Sequence, residues 1–304
     1  MAEAMSSAAR TIGFVATVLF GAGASIGCGG STSNSPATAT AASTADDDDA
    51  TAGLMEHHRN HHHGGVTLFV AMSLDTLGVP PEQQAALDKV KGELHDAMEP
   101  ARTADQALAG SLADGLAAGS FDTAKVDAGI AQVTAAVSRE HEAAADALNE
   151  LHALLTPPQR AALVDKVESH WAVWQKVNAD ETGPGEQAGT HLAVLATDLS
   201  LSTDQVAKIR ASLGEGMKAV PRLDPQEVAA YVRAFGDAFR SEKFDAKSFS
   251  TAGGANAHMV NWGAAHMAHF VETVSPLLTP DQRTTFAQML REHATHNPSA
   301  QANP

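Results

Sequence analysis

The chain has 304 residues and carries 36 Asp and Glu against 20 Lys and Arg, a formal net charge of −16. That acidic balance argues against nucleic acid or an anionic lipid surface as a partner, because basic patches hold both. Alanine is abundant, aromatics are scarce and no segment alternates like a half-buried strand, so the composition points to an all-α fold.

At the N-terminus, Arg10 precedes an apolar run from Thr11 to Gly23 that is too short to span a bilayer. The run ends at Ser25-Ile26-Gly27-Cys28, and a small residue before a lone cysteine in this setting resembles a bacterial lipoprotein signal. Cys28 would then be lipidated and become the mature N-terminus, which leaves no thiol for a disulfide or a nucleophile. Ser25 stands where such signals usually carry Leu; ordinary secretion with Cys28 unmodified is the alternative. Removing residues 1–27 takes one Arg and one Glu, so the charge stays at −16.

Residues 28–66 offer almost nothing to bury and read as a disordered tether. It includes Asp46-Asp47-Asp48-Asp49 and a histidine cluster of His57, His58, His61, His62 and His63. Two readings stand for that cluster: a transition-metal tract, since neutral imidazole suits zinc or nickel/cobalt, or a polar linker.

From Leu77 onward the pattern is helical, with helices expected over 80–98, 101–117, 123–154 and 157–176, then 202–219, 224–240, 246–276 and 279–295. Their starts share one grammar. Leu155-Thr156-Pro157-Pro158-Gln159 returns as Leu278-Thr279-Pro280-Asp281-Gln282, and a third copy stands at Leu201-Ser202-Thr203-Asp204-Gln205. Thr or Ser caps the helix and Gln three residues later reaches back to the cap's own N–H, which makes a capping box. A weaker version is Val79-Pro80-Pro81-Glu82-Gln83. Gln159 and Gln282, Phe121-Asp122 and Phe244-Asp245, and His170 and His293 are all 123 residues apart, which marks an internal duplication of about 100 residues.

In the long helix of the first copy, Val126, Ile130, Val133, Val137, His141, Ala144, Leu148, Leu151 and Leu155 form one apolar stripe. His141 on that stripe reads as a packed, hydrogen-bonded residue, and Ala264 stands at its place in the second copy. In the second long helix the expected core stripe runs through Phe249, Val260, Ala264, Met267, Val271, Val274 and Leu278. At about 100° per residue, His258, Trp262, His266 and His269 fall nearly opposite it. That face is read either as a binding face, for a metal or apolar protein segments, or as a packing face against the other copy. No catalytic constellation is legible: there is no Gly-rich phosphate loop, no nucleophile elbow and no paired-histidine zinc helix.

The Leu-Thr-x-x-Gln openings, the Phe-Asp turn before the long helix and the His-rich stretch upstream resemble the Spy/CpxP family of LTxxQ-motif periplasmic proteins. The likeness covers residues 57–175 and again 190–297. It implies two tandem four-helix units, 67–177 and 190–297, joined by a linker at 178–189 and followed by a tail at 298–304. In the family two subunits interlock as a curved cradle, so the fused copies imply an intrachain pseudo-dimer, with a homodimer as the other option. The resemblance also implies an ATP-independent holdase or envelope-stress modulator on the periplasmic side, not an enzyme; the lipoprotein-like signal at Cys28, which is not typical of the family's chaperone members, adds a lipid anchor, at the outer membrane. Its partners would be unfolded envelope proteins or a sensor kinase. Met259, Trp262, Phe270, Trp171 and Trp174 are the candidate client-binding residues. The alternative function is a zinc or nickel/cobalt sensor or buffer that uses His57–His63 with His266 and His269.

Overall fold

Each Leu-Thr-x-x-Gln opening starts a helix where the caps require it. The structure, a computed structural model, describes residues 65–182, 189–216, 220, 223–248 and 253–295. Among these are nine α-helices and no strand: α1 Gly65–Asp75, α2 Pro81–Ala118, α3 Thr123–Leu154, α4 Pro157–Thr182, α5 Gly189–Asp198, α6 Thr203–Gly216, α7 Pro225–Arg240, α8 Gly253–Val274 and α9 Pro280–Thr295. The fold class is all-α, as composition and periodicity indicate.

Three elements differ from the sequence expectation. The helices expected over 80–98 and 101–117 are one helix, α2, with Pro100 inside it. Proline forfeits one backbone hydrogen bond there, but the helix continues because both flanks are buried, Leu87, Val90 and Leu94 before it and Ala101, Leu108 and Leu112 after it. Helices α1 and α5 were not expected at all. Helix α1 is apolar nearly all round, and Val66, Phe69, Val70, Met72 and Leu74 are all buried. Helix α8 starts at Gly253 and not at 246, because residues 246–248 form a short 3-10 turn, with Asp245 accepting from the Lys247 N–H at 3.0 Å.

Helix α2 ends at Gly119, whose φ of 72° is a left-handed C-cap, and the Ser120 N–H closes on the Gly115 carbonyl at 3.0 Å. Asp122 then caps α3 through the Lys125 N–H at 3.1 Å. This short turn folds α3 back on α2, and the two form the largest helix contact in the molecule.

Two apolar cores result, and each draws on both sides of the stretch at 178–189. The first joins α1, the N-terminal half of α2, the C-terminal half of α3, and α4 to α7 and the start of α8. The second joins α5, α6, most of α8, and α9 to the C-terminal half of α2 and the N-terminal half of α3. Helix α4 thus packs on α7 and α9 on α2, while α3 packs on α8. The sequence boundary at 178–189 is therefore not a boundary between cores.

Candidate functional site

The motif glutamines do more than cap. The Gln159 Oε1 accepts from the Thr156 N–H at 2.8 Å, and the Gln282 Oε1 from the Thr279 N–H at 2.9 Å, as a capping box requires. At Ser202 the box is reciprocal, with the Ser202 N–H on Gln205 Oε1 at 3.0 Å and the Gln205 N–H on Ser202 Oγ at 3.2 Å. Each amide also reaches across to another helix start: Gln159 Nε2 donates to Gln83 Oε1 at 2.9 Å, and Gln205 Nε2 to Gln282 Oε1 at 2.8 Å. They satisfy helix C-termini as well. Gln83 Nε2 donates to the Leu154 carbonyl at 3.4 Å, Gln205 Nε2 to Leu277 at 3.0 Å, and Gln282 Nε2 to Leu199 at 3.2 Å. Leu155 and Leu278 are buried beneath these caps and Leu201 is half-buried. The arginine after the motif reaches across the stretch at 178–189: Arg160 Nη1 donates to the Ser241 carbonyl at the end of α7, at 2.7 Å. In the second copy the Arg283 guanidinium lies against Gly119 at the end of α2.

The aromatic candidates come together, but inside the protein. Trp171 stacks on Trp174 with ring centroids 5.2 Å apart, Trp174 meets Trp262 edge-on at 5.6 Å, and His266 lies against Trp262 at 4.1 Å. Trp262 is 3% exposed, and Met259, Trp171 and Trp174 are buried with it. Of the two readings of this face of α8, binding or packing, the structure shows packing at Trp262. Helix α8 is central, with α3 on one side and α1 and α7 on others, so a helix with one apolar stripe by periodicity is covered nearly all round. Phe270 is the exception among the candidates: it is half-buried, edge-on to Phe286 at 6.4 Å.

The histidines separate in the same way. His258 is exposed and pairs with Glu227 of α7 at 3.1 Å. His266 Nδ1 donates to the Trp262 carbonyl at 2.8 Å, and His269 Nε2 accepts from Thr273 Oγ1 at 3.2 Å. Each is tied along its own helix. Among the described residues no group of three or more His, Cys, Asp or Glu side chains gathers as a metal site. His57, His58, His61, His62, His63 and the lipidation candidate Cys28 lie outside the described residues. His141 is buried, and its Nε2 donates to the Ala246 carbonyl at 3.0 Å.

Sequence reasoning missed the residue beside it. Glu140 is 1% exposed, and among the described residues its carboxylate oxygens make no well-formed hydrogen bond, the Thr67 hydroxyl being the one group near enough to favour the ionised form. Burial pushes its pKa up to about 8, and Thr67 of α1, close by, opposes that only in part. Tyr231 of α7 is pushed up in turn, by burial first and then by the Glu140 charge. A signal was present, since Glu140 stands seven residues after Val133 and four before Ala144, on the flank of the apolar stripe.

Among the described residues no helix is long and apolar enough to cross a membrane. No curated protein and no solved structure matches the chain. Residues 66–166, which run from α1 into α4, match the LTXXQ motif family protein, a likeness consistent with the Spy/CpxP type.

Proposed function

We propose that this is a Spy/CpxP-type protein of the bacterial cell envelope that holds unfolded polypeptides without ATP. In this reading Cys28 carries a lipid anchor, on the periplasmic side and at the outer membrane, and the clients are unfolded envelope proteins. A sensor kinase is the partner if the protein acts as a stress modulator. The two copies act as an intrachain pseudo-dimer. The observation that carries the proposal is the LTXXQ match over residues 66–166, joined to the exchange of helices across the chain, α4 onto α7 and α9 onto α2. Such an exchange lets one polypeptide do what two interlocked subunits would do. No step requires a nucleotide or a covalent intermediate.

The surface sets the mode of holding. Val194, at 54%, is the one large hydrophobic side chain exposed among the described residues. Clients would therefore be held weakly, by half-buried groups such as Phe270, Met267 and Met289 at the margin of the second core. The test is aggregation of a chemically unfolded client with and without an equimolar amount of the full chain, in the absence of ATP. Suppression is expected, and Phe270→Ser should weaken it while the circular dichroism spectrum stays helical. An unchanged aggregation rate in the presence of a folded chain would remove the holding function.

A further inference from the structure

We propose that Glu140 is a proton-operated latch for α1: the neutral carboxyl lets α1 lie on the first core, and the carboxylate releases it. This deepens the holding function proposed above and rests on it only for what the uncovered face binds. Helix α1 is a short strap of 11 residues laid on α4, α2, α8 and α3. Its first turn enters at a tight contact. Gly65 adopts a φ of 53°, and a Cβ there would overlap the Asn256 side chain, 1.6 Å from its Oδ1. The same Oδ1 accepts from the Val66 N–H at 2.7 Å. One residue further on, Thr67 sits beside the buried Glu140 carboxyl.

The carboxyl has no cation to stabilise its ionised form. Several titratable or charged groups on the surrounding elements are engaged elsewhere. Tyr231 of α7 is half-buried and held neutral, and His141 of α3 is bonded to Ala246. His170 of α4 stacks on Phe69 at 6.1 Å. His258 of α8 pairs with Glu227 of α7, and His95 and Arg102 of α2 bond each other. Lifting α1 is the cheapest way to bring water to a Glu140 carboxylate, because α1 covers it and has the fewest residues to undock. Lifting also uncovers the apolar bed beneath Phe69 and Val70, a surface suited to apolar segments of unfolded protein. The device belongs to one copy only. Gly263 stands 123 residues after Glu140 and offers no carboxyl, and nothing lies within 4 Å of where its side chain would begin.

The sign follows from the carboxyl's environment. Docked, it titrates near 8; released, it returns to the ordinary range near 4.5. Docking is therefore strongest below that lower value and weakens by about tenfold per pH unit up to pH 8, where it levels off. The experiment is amide hydrogen exchange of residues 66–74 in the full chain from pH 5 to 9, corrected for intrinsic exchange, in wild type, Glu140→Gln and Glu140→Met. Protection of 66–74 should fall with pH in the wild type, more steeply than in α3, and stay level in both variants. A slope that persists in the variants would assign it to His170 or His141 and overturn the latch, as would α1 protection that tracks α3 in the wild type. Client capture measured on the same samples separates the two proposals. Release of α1 without capture at any pH leaves the latch standing and removes the holding function.

Discussion

Gln282 shows how much a single amide can hold. Its oxygen caps its own helix at Thr279, and its nitrogen closes the end of α5 at Leu199 while meeting Gln205. Gln282→Ala leaves the Thr279 N–H and the part-buried Leu199 carbonyl unsatisfied, while the Thr279 hydroxyl still caps the helix. It should cost about 2 kcal/mol, seen as a lower urea midpoint with an unchanged m-value. Gln159→Ala should act similarly, since it loses Thr156 and Gln83 together. The cap was legible in the sequence because three-residue spacing defines it. The second bond was not, because the Gln83 and Gln205 partners are set by how helices are brought together. Glu140 makes the opposite prediction. Its folded-state pKa lies above the ordinary carboxylate value, so the wild type loses stability relative to Glu140→Gln as pH rises from about 5 to 8. The difference at pH 7 should be of the order of 3 kcal/mol if α1 stays docked and smaller if α1 lifts. Thermal midpoints of the two proteins across that range would show it, and a wild type that gained stability with pH would contradict it.

At the scale of the element, α8 is where periodicity misled. A stripe at 3/4 spacing identifies the most buried face of a helix but does not say that the opposite face is wet. In α3 the stripe and the burial agree, from Val126 and Val133 to Leu151. In α8, Trp262 is enclosed with Trp174 and Met259, since a central helix meets neighbours on several sides. Trp262→Glu should therefore abolish cooperative unfolding, because it buries a charge in an aromatic cluster, and Trp262→Ala should cost about 4 kcal/mol. Thermal melts followed by circular dichroism distinguish this from a surface role, in which the fold would be untouched. Helix α1 was missed for a related reason: Thr67 to Leu74 has no polar face for periodicity to detect. Pro100 in α2 was misread as a break; it marks where the helix passes from one core to the other.

For the whole molecule, the 123-residue spacing of the landmarks was legible in the sequence and the resemblance implied an intrachain pairing, whereas which helix packs on which was not legible. Repeats in sequence report where elements are, and the exchange of partners depends on long-range packing. Each core needs helices from both sides of 178–189. A fragment of residues 65–182 should consequently lack cooperative unfolding alone and recover it when mixed with residues 189–295. A nick within 183–188 should leave both pieces eluting together from a sizing column. A fragment that melted cooperatively as a monomer would contradict this packing.

The pairing of α9 with α2 also governs the order of events during synthesis. Helix α2 leaves the ribosome early, yet the side chains that cover its C-terminal half include Phe286 and Ala287, almost 170 residues later. Stable tertiary structure of α2 must then wait until α9 has been made, and folding will be slow relative to a bundle of local hairpins. A chain released prematurely, before Pro280, would present an uncovered α2 to any protease. Helix α9 therefore acts as an inspection stamp, withholding native structure from every product that lacks it.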